Sequence, residues 1–449
     1  MTKERYYNSN VHMRGLVYDA GKHVLETKDI FCKTIPLVDP MHCLNHNYNF
    51  RVKRCSHLPS AYNYNTYNKV NDMNNTGYID VLCSQLFGHI TLMRKNPSFP
   101  IFYGSTNGVG DYKYDITEEY HSLRLDKCFN ENLGKGFEMD TYAEDGESSR
   151  SSRSSRSSRS SRSSRSRSSR SSRSSVAELF SEDYRDIQAD QRSSESSVQS
   201  ESSDGDYMDD YVARIKQIPL QLLFIEKLDA TLEDYLLSES YEDDVLLSCL
   251  FQISFAIAHL QKRYEFTHND LHINNVMYQE TDRPFLYYKL NNMYFKVPTY
   301  GKIFKIIDFG RAIFTYKNKV YRNDVFSRNS EAGGQYSYPH QVSFLKDTVT
   351  ERYDSIGEPN YSFDLCRLAM TILEEAPHRM SGDVREYLRN MCIDHNNQSF
   401  CDMIDDFNLY IAIAQHSTRA TPLSSVTNAI FKSYRVKKKR FPKKTYYTL

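Results

Sequence analysis

Six polar side chains lie close together in THNDLHINNVMY, residues 267–278. They are His268, Asn269, Asp270, His272, Asn274 and Asn275. The stretches on either side, LLSCLFQISFAIAHL and KIFKIIDFG, have the composition of buried elements. A polar cluster held between two buried elements indicates a site rather than a surface loop.

Asp270, Asn275 and Asp308 carry the groups that phosphoryl transfer needs. That reaction depends on charge neutralisation more than on covalent help from the protein. One carboxylate must orient the incoming hydroxyl and accept its proton, and Asp270 fits this role. A second carboxylate and an amide must hold Mg²⁺ against the β- and γ-phosphates, which suits Asp308 and Asn275. His268 is expected to support the loop from behind.

The spacing H-x-D-x-x-x-x-N followed by DFG at 308–310 matches the signature of protein kinases. The chain resembles eukaryotic-type protein kinases, and more narrowly the serine/threonine kinases of large DNA viruses. The segments that carry this resemblance are PLVDP, THNDLHINNVMY, KVPTYGKIFKIIDFGRAI, GGQYSYP and FDLCRLAMTI. It implies an α+β bilobal fold with a small β-rich N-lobe and a larger helical C-lobe. It also implies ATP and Mg²⁺ as cofactors and Ser/Thr hydroxyls of proteins as acceptors.

The same resemblance assigns residues to nucleotide binding. Lys33 takes the place of the third-strand lysine that reaches the α- and β-phosphates, and Asp80 that of its helical acidic partner. Ile225 takes the gatekeeper position, and backbone groups of Glu226 and Leu228 are expected to hydrogen-bond the adenine edge.

Two further residues are assigned to structural support by the resemblance. Asp364 in SFDLCRLAM corresponds to a buried helix aspartate that braces the catalytic loop. Arg419 in STRATPL corresponds to a late C-lobe arginine that locks the activation segment.

The departures from the kinase pattern leave two alternatives open. No G-x-G-x-x-G precedes Lys33, since only Gly15 and Gly21 are available, and this favours a pseudokinase scaffold that recruits partners through its insert and basic tail. His272 stands where Ser/Thr kinases carry a lysine, and HNDLH is also similar to small-molecule kinases of the aminoglycoside and choline type. Asn269 replaces an arginine that normally reads a phosphate on the activation loop, so activation need not depend on that phosphate.

A Ser/Arg repeat divides the chain. Residues 148–175 contain nine arginines and no apolar residue, and an acidic, Ser-rich stretch follows. Such segments cannot bury enough surface to offset the entropy of ordering, so we predict a disordered insert at 136–211. The flanking parts are then an N-lobe at 1–135, a last N-lobe strand with hinge and C-lobe at 212–435, and a basic tail at 436–449. The repeat suits a spacer, a regulatory segment or a substrate of the chain itself, and nucleic-acid binding is the less favoured role.

The amino-acid composition limits what can be expected of the partners and the compartment of the protein. Lys+Arg and Asp+Glu are equal at 57 each, so net charge indicates no partner. Nine cysteines without a C-x-x-C pair favour free thiols in a reducing compartment. No signal peptide and no apolar run of membrane-spanning length are visible, which predicts a soluble intracellular protein in the host cytoplasm or virion. The terminal KKKR leaves a nuclear or nucleic-acid role open.

The sequence contains a cluster of cysteine and histidine residues, the residue types that most often bind zinc. Cys43, His46, Cys55 and His57 lie within fifteen residues of one another. Their spacing matches no zinc motif, so ordinary loop or core positions are favoured over a metal site.

Overall fold

The computed structural model describes residues 10–19, 23–45, 48, 64–142, 210–326, 332–333, 335–336, 359–376, 378–403, 406–442 and 445–449. The Ser/Arg block 148–175 lies outside these residues, as do Gly21 and three of the four predicted zinc-type ligands. The fourth, Cys43, is buried in a short helix. The described chain mixes strands and helices, and the predicted α+β class is confirmed.

Five strands of the N-terminal part form an antiparallel sheet. They are β1 Val11–Asp19, β2 Val24–Pro36, β3 Phe102–Asp115, β4 Phe137–Tyr142 and β5 Asp210–Glu226. The long β5 is central because β3 pairs along one of its edges, while β2 and β4 share the other. Residues 143–209 therefore connect the fourth and fifth strands.

The predicted insert boundaries are wrong at both ends. Residues 137–142, which were assigned to the insert 136–211, form β4 and pair with residues 210–215 of β5, so 210–211 also belong to the sheet. The local sequence FEMDTY shows no clear alternation of apolar and polar residues. Its partner strand lies about seventy residues away, so local pattern could not reveal the pairing.

Short helices and one long helix pack on this sheet. They are α1 Pro40–Leu44, α2 Tyr64–Asn71, α3 Thr76–Leu92, α4 Tyr120–Leu123 and α5 Lys127–Asn132. The Asn75 side chain caps α3 by accepting from Gly77 N at 3.0 Å, and its amide also donates to Leu37 O at 2.8 Å. A Cβ at Gly88 would lie 2.7 Å from the backbone N of Phe102, so glycine lets α3 approach β3 closely. The cap and the close approach together fix where α3 lies.

The C-terminal part is mainly helical. Its helices are α6 Leu232–Leu237, α7 Asp243–Tyr264, α8 Phe363–Glu375, α9 Gly382–Met391, α10 Asp406–His416 and α11 Pro422–Thr427. Its strands are β6 Ala230–Thr231, β7 Val276–Glu280, β8 Phe285–Leu290, β9 Met293–Pro298, β10 Lys302–Ile306, β11 Ile313–Tyr316, β12 Lys319–Arg322 and β13 Tyr447–Thr448. They form the sheets β10-β7-β6, β13-β8-β9 and β11-β12.

Helix α7 is the centre of the main hydrophobic core. Its Phe251 ring packs against Phe295 and Phe431 at centroid distances of 5.1 and 5.2 Å. Contrary to the sequence expectation, this helix is long and apolar enough to cross a membrane, but 78% of its apolar window is buried within the protein. Other elements of the chain therefore cover most of its apolar surface.

The predicted basic tail is docked on the fold. Strand β13 adds to β8 in parallel, and Leu449 N donates to Lys289 O at 3.1 Å. The Phe441 ring packs on Tyr294 at 4.9 Å. The side chains of residues 437–440 are exposed, although the backbone around them is held.

Candidate active site

Lys33 lies on β2 between two carboxylates from distant parts of the chain. Its Nζ is 2.6 Å from Asp80 Oδ2 and 2.8 Å from Asp308 Oδ1. Burial lowers the pKa of Lys33, but Asp308 and Asp80 outweigh it and raise the pKa above its ordinary value. The ammonium therefore stays charged and joins the sheet to the DFG segment.

Asp80 links helix α3 to the same segment. Its side chain is only 2% exposed, and its Oδ1 accepts from Phe309 N at 3.1 Å. Burial raises the pKa of Asp80, and the Lys33 ammonium opposes this. The Phe309 ring packs edge-on against Phe87 of α3 at 4.9 Å, so apolar packing and an ion pair position the same helix.

Asp308 is held in an unusual backbone conformation. Its φ of +61° lies in the left-handed region, which is uncommon for a residue other than glycine. Burial would raise the pKa of Asp308, but Lys33 outweighs it and holds the pKa at about 2. The side chain is 45% exposed, so an ionised carboxylate faces solvent beside Lys33.

The loop that contains Asp270 is anchored by Asp364 at the start of α8. The two Asp364 carboxylate oxygens accept from His268 N and Asn269 N, each at 2.9 Å. The His268 ring is fully buried and its Nε2 lies 2.9 Å from Ile307 O. Because a carbonyl can only accept, this contact assigns the proton to Nε2. Asp364 and His268 thus tie the loop to α8 and to the strand before DFG.

One carboxylate oxygen of Asp270 is held by a hydrogen bond. Its Oδ1 accepts from the Tyr410 hydroxyl of α10 at 2.9 Å. Burial raises the pKa of Tyr410, so the phenol stays protonated and donates. Within the described part of the chain, no hydrogen bond reaches Asp270 Oδ2, so this oxygen could receive a proton from another molecule.

The contacts that position the Asn275 side chain are made by its amide nitrogen. Its Nδ2 donates to Asp270 O at 2.8 Å and lies 3.0 Å from His272 Nε2. None of the described residues donates to Asn275 Oδ1. Burial lowers the pKa of His272, with Asp270 opposing, so the imidazole is neutral. An amide oxygen and the Asp308 carboxylate are ligands that a hard cation such as Mg²⁺ prefers.

The end of β5 carries the residues assigned to the adenine edge. Glu226 N donates to Ile101 O at 2.9 Å, which leaves only its carbonyl to offer a nucleotide. The Leu228 backbone makes no hydrogen bond to any described residue. Ile225 is buried in a small cluster with Ile35 and Leu223, so an apolar wall adjoins these backbone groups.

Arg419 is separate from this constellation. Its Nη2 donates to Asn397 Oδ1 at 2.5 Å, and the residue is exposed. It lines a cavity of about 460 Å³ with Asp383, Glu386 and residues of α11. The assigned bracing role concerns a segment of which 337–358 lie outside the described residues, and that role stays a prediction.

Sequence reasoning missed a clasp at the end of β5. Glu226 Oε2 lies 2.5 Å from Lys305 Nζ and accepts from Ile101 N at 3.1 Å, while Oε1 accepts from Gln279 at 2.8 Å. Burial lowers the pKa of Lys305, and Glu226 opposes this. The sequence did contain a signal for this contact, because a lysine inside the apolar run KIFKII requires a buried partner of opposite charge. The clasp ties β5 to β7 and β10.

A strap of residues 322–324 was also missed. Asp324 N donates to Asn74 O at 3.0 Å, and Asn323 Nδ2 donates to Thr76 Oγ1 at 3.0 Å. Lys69 of α2 pairs with the Asp324 carboxylate. The strap fastens the chain beyond DFG to the start of α3, and no local pattern signals contacts that span about 250 residues.

The chain is similar over part of its length to a known protein. No protein-family model matches the chain. A probable serine/threonine-protein kinase of Dictyostelium discoideum is 34% identical over 110 residues, which cover 22% of this chain and 9% of that protein's length. The similarity supports a relationship to kinase-like proteins in general terms.

Proposed function

We propose that the chain is an ATP- and Mg²⁺-dependent protein kinase that phosphorylates Ser/Thr hydroxyls. In this proposal the five-stranded sheet with α3 and the helical C-terminal part are the two lobes of a kinase-like fold. The observation that carries it is the convergence of Lys33, Asp80 and Asp308, with Asp270 and Asn275 each presenting an oxygen without a described partner. The partial similarity to a probable kinase agrees with this proposal.

The residues of the chain then have distinct tasks. Asp270 orients the acceptor hydroxyl and takes its proton at Oδ2, since Tyr410 holds the other oxygen. Lys33 contacts nucleotide phosphates while Asp80 keeps its ammonium in place. Asp364 and His268 keep the loop rigid, so that the reacting groups stay aligned.

The residues present also fit the two cofactors. Asp308 and Asn275 Oδ1 would hold the metal, and the Leu228 backbone with the Glu226 carbonyl would hold the adenine edge. When bound, Mg²⁺ and ATP supply charge neutralisation and the phosphoryl group, respectively. The tip of the β1–β2 hairpin, residues 20–22, lies outside the described residues, so the phosphate-covering loop is left unassigned.

The proposed substrates are proteins, including the Ser/Arg block of the chain itself. Arginine-flanked serines at 148–175 resemble substrates of SR-type kinases. An origin in a large DNA virus and an intracellular location belong to the same proposal, and both rest on sequence resemblance and composition alone.

Incubation of the purified full chain with γ-labelled ATP, Mg²⁺ and mixed proteins tests the proposal through phosphoamino-acid analysis. Phosphoserine or phosphothreonine is expected. Asp270→Asn should lose more than tenfold in turnover, at least ~1.4 kcal/mol, and still bind ATP. The exposed Asp282→Asn is the matched control and should behave as the parent protein.

The other outcomes distinguish the alternatives. No nucleotide binding by the parent protein would support the pseudokinase scaffold. Phosphorylation of choline or aminoglycosides without any phosphoprotein would support a small-molecule kinase. Retention of more than a tenth of the turnover by Asp270→Asn would show that another group accepts the proton.

A further inference from the structure

Three cysteines meet where helix α9 ends. Cys392 follows α9 directly, is 1% exposed, and its thiol lies 3.3 Å from Leu388 O and 3.9 Å from Cys366 O. Cys366 belongs to α8 and is fully buried. The neighbouring thiols of Cys366 and Cys401, together with burial, raise the pKa of the Cys392 thiol well above its ordinary value. This thiol cluster of Cys366, Cys392 and Cys401 takes no part in the proposed active site.

A folded loop brings Cys401 to the cluster. Phe400 N donates to Cys392 O at 2.9 Å, and Asp394 N donates to Gln398 O at 2.9 Å. Ile393 and Ser399 form an antiparallel bridge between them. Backbone hydrogen bonds therefore hold the two ends of the loop together, and Cys401 directly follows the residue that pairs with Cys392.

The members of the cluster differ in access to solvent. Cys401 is exposed, whereas Cys366 and Cys392 are buried. A small oxidant can therefore reach only Cys401 directly. Cys392, the buried thiol next to it across the loop, is placed to react next.

Electrostatics favours the Cys401 thiolate. The neighbouring Cys392 thiol lowers the pKa of Cys401 to about 7 against the effect of burial, and Ser399 contributes in the same direction. Arg389 also lowers this pKa, and Asp402 opposes it. The thiolate is the nucleophilic form of cysteine, so Cys401 has the access and the charge state of a reactive thiol.

We propose that Cys401 is a peroxide-reactive cysteine and that Cys392 is its resolving thiol. The Cys401 thiolate attacks one oxygen of hydrogen peroxide, the O–O bond breaks, and Cys401 becomes a sulfenic acid as hydroxide leaves. The Cys392 sulfur then attacks the Cys401 sulfur, an S–S bond forms, and the sulfenic oxygen leaves as water with the Cys392 proton. Two thiols and one peroxide give one disulfide and two waters. The site is independent of the proposed kinase activity.

Peptide mapping under non-reducing conditions tests the proposal. The reduced full chain is treated with a stoichiometric amount of hydrogen peroxide, alkylated and digested. A peptide pair joined through Cys392 and Cys401 is expected, with a mass about 2 Da below that of the two free peptides. Treatment with a thiol reductant should remove the link.

Two variants assign the roles. Cys401→Ser should abolish the disulfide, and Cys392→Ala should leave a sulfenic acid on Cys401 that dimedone labels. Cys128→Ser removes another exposed cysteine, in α5, and should leave the Cys392–Cys401 disulfide unchanged. The mapping of the parent protein needs no variant, so it decides the proposal even where Cys392→Ala fails to fold.

The opposite results are equally clear. A Cys366–Cys392 disulfide, equal dimedone labelling of Cys128 and Cys401, or a Cys401 sulfinic acid without any disulfide would each overturn the proposal.

Discussion

Replacing Lys33 by methionine should destabilise the fold in a pH-dependent way. Methionine keeps the apolar stem but removes the ammonium that lies 2.6 Å from Asp80 and 2.8 Å from Asp308. Asp80, with its side chain 2% exposed, is then left with Phe309 N as its nearest donor. Breaking a buried ion pair by removing one partner costs roughly 3–5 kcal/mol.

The Lys33–Asp80 and Lys33–Asp308 ion pairs contribute unequally to the free energy of unfolding. Asp308 is 45% exposed, so solvent screens its interaction with Lys33 and little stability is lost on that side. The Lys33 side chain is itself 21% exposed, which reduces the loss on the Asp80 side. We therefore expect Lys33→Met to lower the free energy of unfolding by about 2–4 kcal/mol at pH 7.

The pH dependence follows from the carboxyl group left behind. Without Lys33, burial raises the folded-state pKa of Asp80 further above its unfolded value. A group with a raised folded-state pKa contributes stability that is present at low pH and is lost as the pH rises through that pKa. The decrease in the free energy of unfolding caused by Lys33→Met should therefore be smaller at pH 5 than at pH 7. Lys33→Met/Asp80→Asn removes both charges and should recover at least ~1.5 kcal/mol relative to the sum of the single variants.

Guanidinium unfolding at both pH values measures these quantities. The chain has no tryptophan, so tyrosine fluorescence and far-UV circular dichroism are the two probes, and their transitions should coincide. Lys28→Met is the control on the same strand, since Lys28 pairs with Glu26 at the surface and its loss should cost under ~1 kcal/mol. A coupling energy below ~0.5 kcal/mol, or a deficit equal at the two pH values, would refute the reasoning.

Three further predictions concern the metal, the loop brace and the insert. Asp308→Asn should raise the Mg²⁺ concentration needed for half-maximal nucleotide binding, measured by calorimetric titration, and an unchanged Mg²⁺ dependence would remove Asp308 from the metal site. Asp364→Asn loses one of two acceptors for buried backbone N–H groups, so it should cost ~1–3 kcal/mol in thermal unfolding, whereas the exposed Asp383→Asn should cost little. Deleting 148–175 should leave the melting temperature and the basal activity on a short peptide unchanged, because the block has no apolar residue. In the intact chain, phosphosites after Mg²⁺-ATP incubation should concentrate in this block and be absent from Asp270→Asn, and mass spectrometry that finds the block unmodified would leave it a spacer.

Local pattern predicted the main elements of the fold well. In the sequence, the apolar residues of YIDVLCSQLFGHITLM recur at helical spacing and predict a helix over 78–93, and α3 spans Thr76–Leu92. The apolar face from Leu246 to Leu260 belongs to α7 at Asp243–Tyr264. Periodicity succeeds here because each helix buries a continuous face, and burial determines residue type at every turn.

The individual residues of the site were visible in the sequence, but their partners were not. Asp270 and Asn275 could be singled out because five positions separate them in a polar run. The Tyr410 hydroxyl that fixes Asp270 lies 140 residues further along the chain, in a helix whose pattern indicates only packing. A side chain chosen for one long-range hydrogen bond leaves no periodic signal.

In the described residues, the segment after DFG is anchored by amide, hydroxyl and backbone groups together with the Lys69–Asp324 ion pair. Asn269 adopts φ +63°, in the left-handed region. Its Nδ2 donates to Arg311 O at 3.0 Å, and its Oδ1 accepts from the buried Tyr336 hydroxyl. An arginine at position 269 would need an anion to balance its charge in so buried a place, whereas an amide is satisfied by a carbonyl and a hydroxyl. The strap at 322–324 adds backbone and amide hydrogen bonds to α3 on the other side. In the described residues, these contacts and the Lys69–Asp324 ion pair hold the segment against α3 and the loop that contains Asp270, whereas activation without a phosphate on this segment stays a prediction.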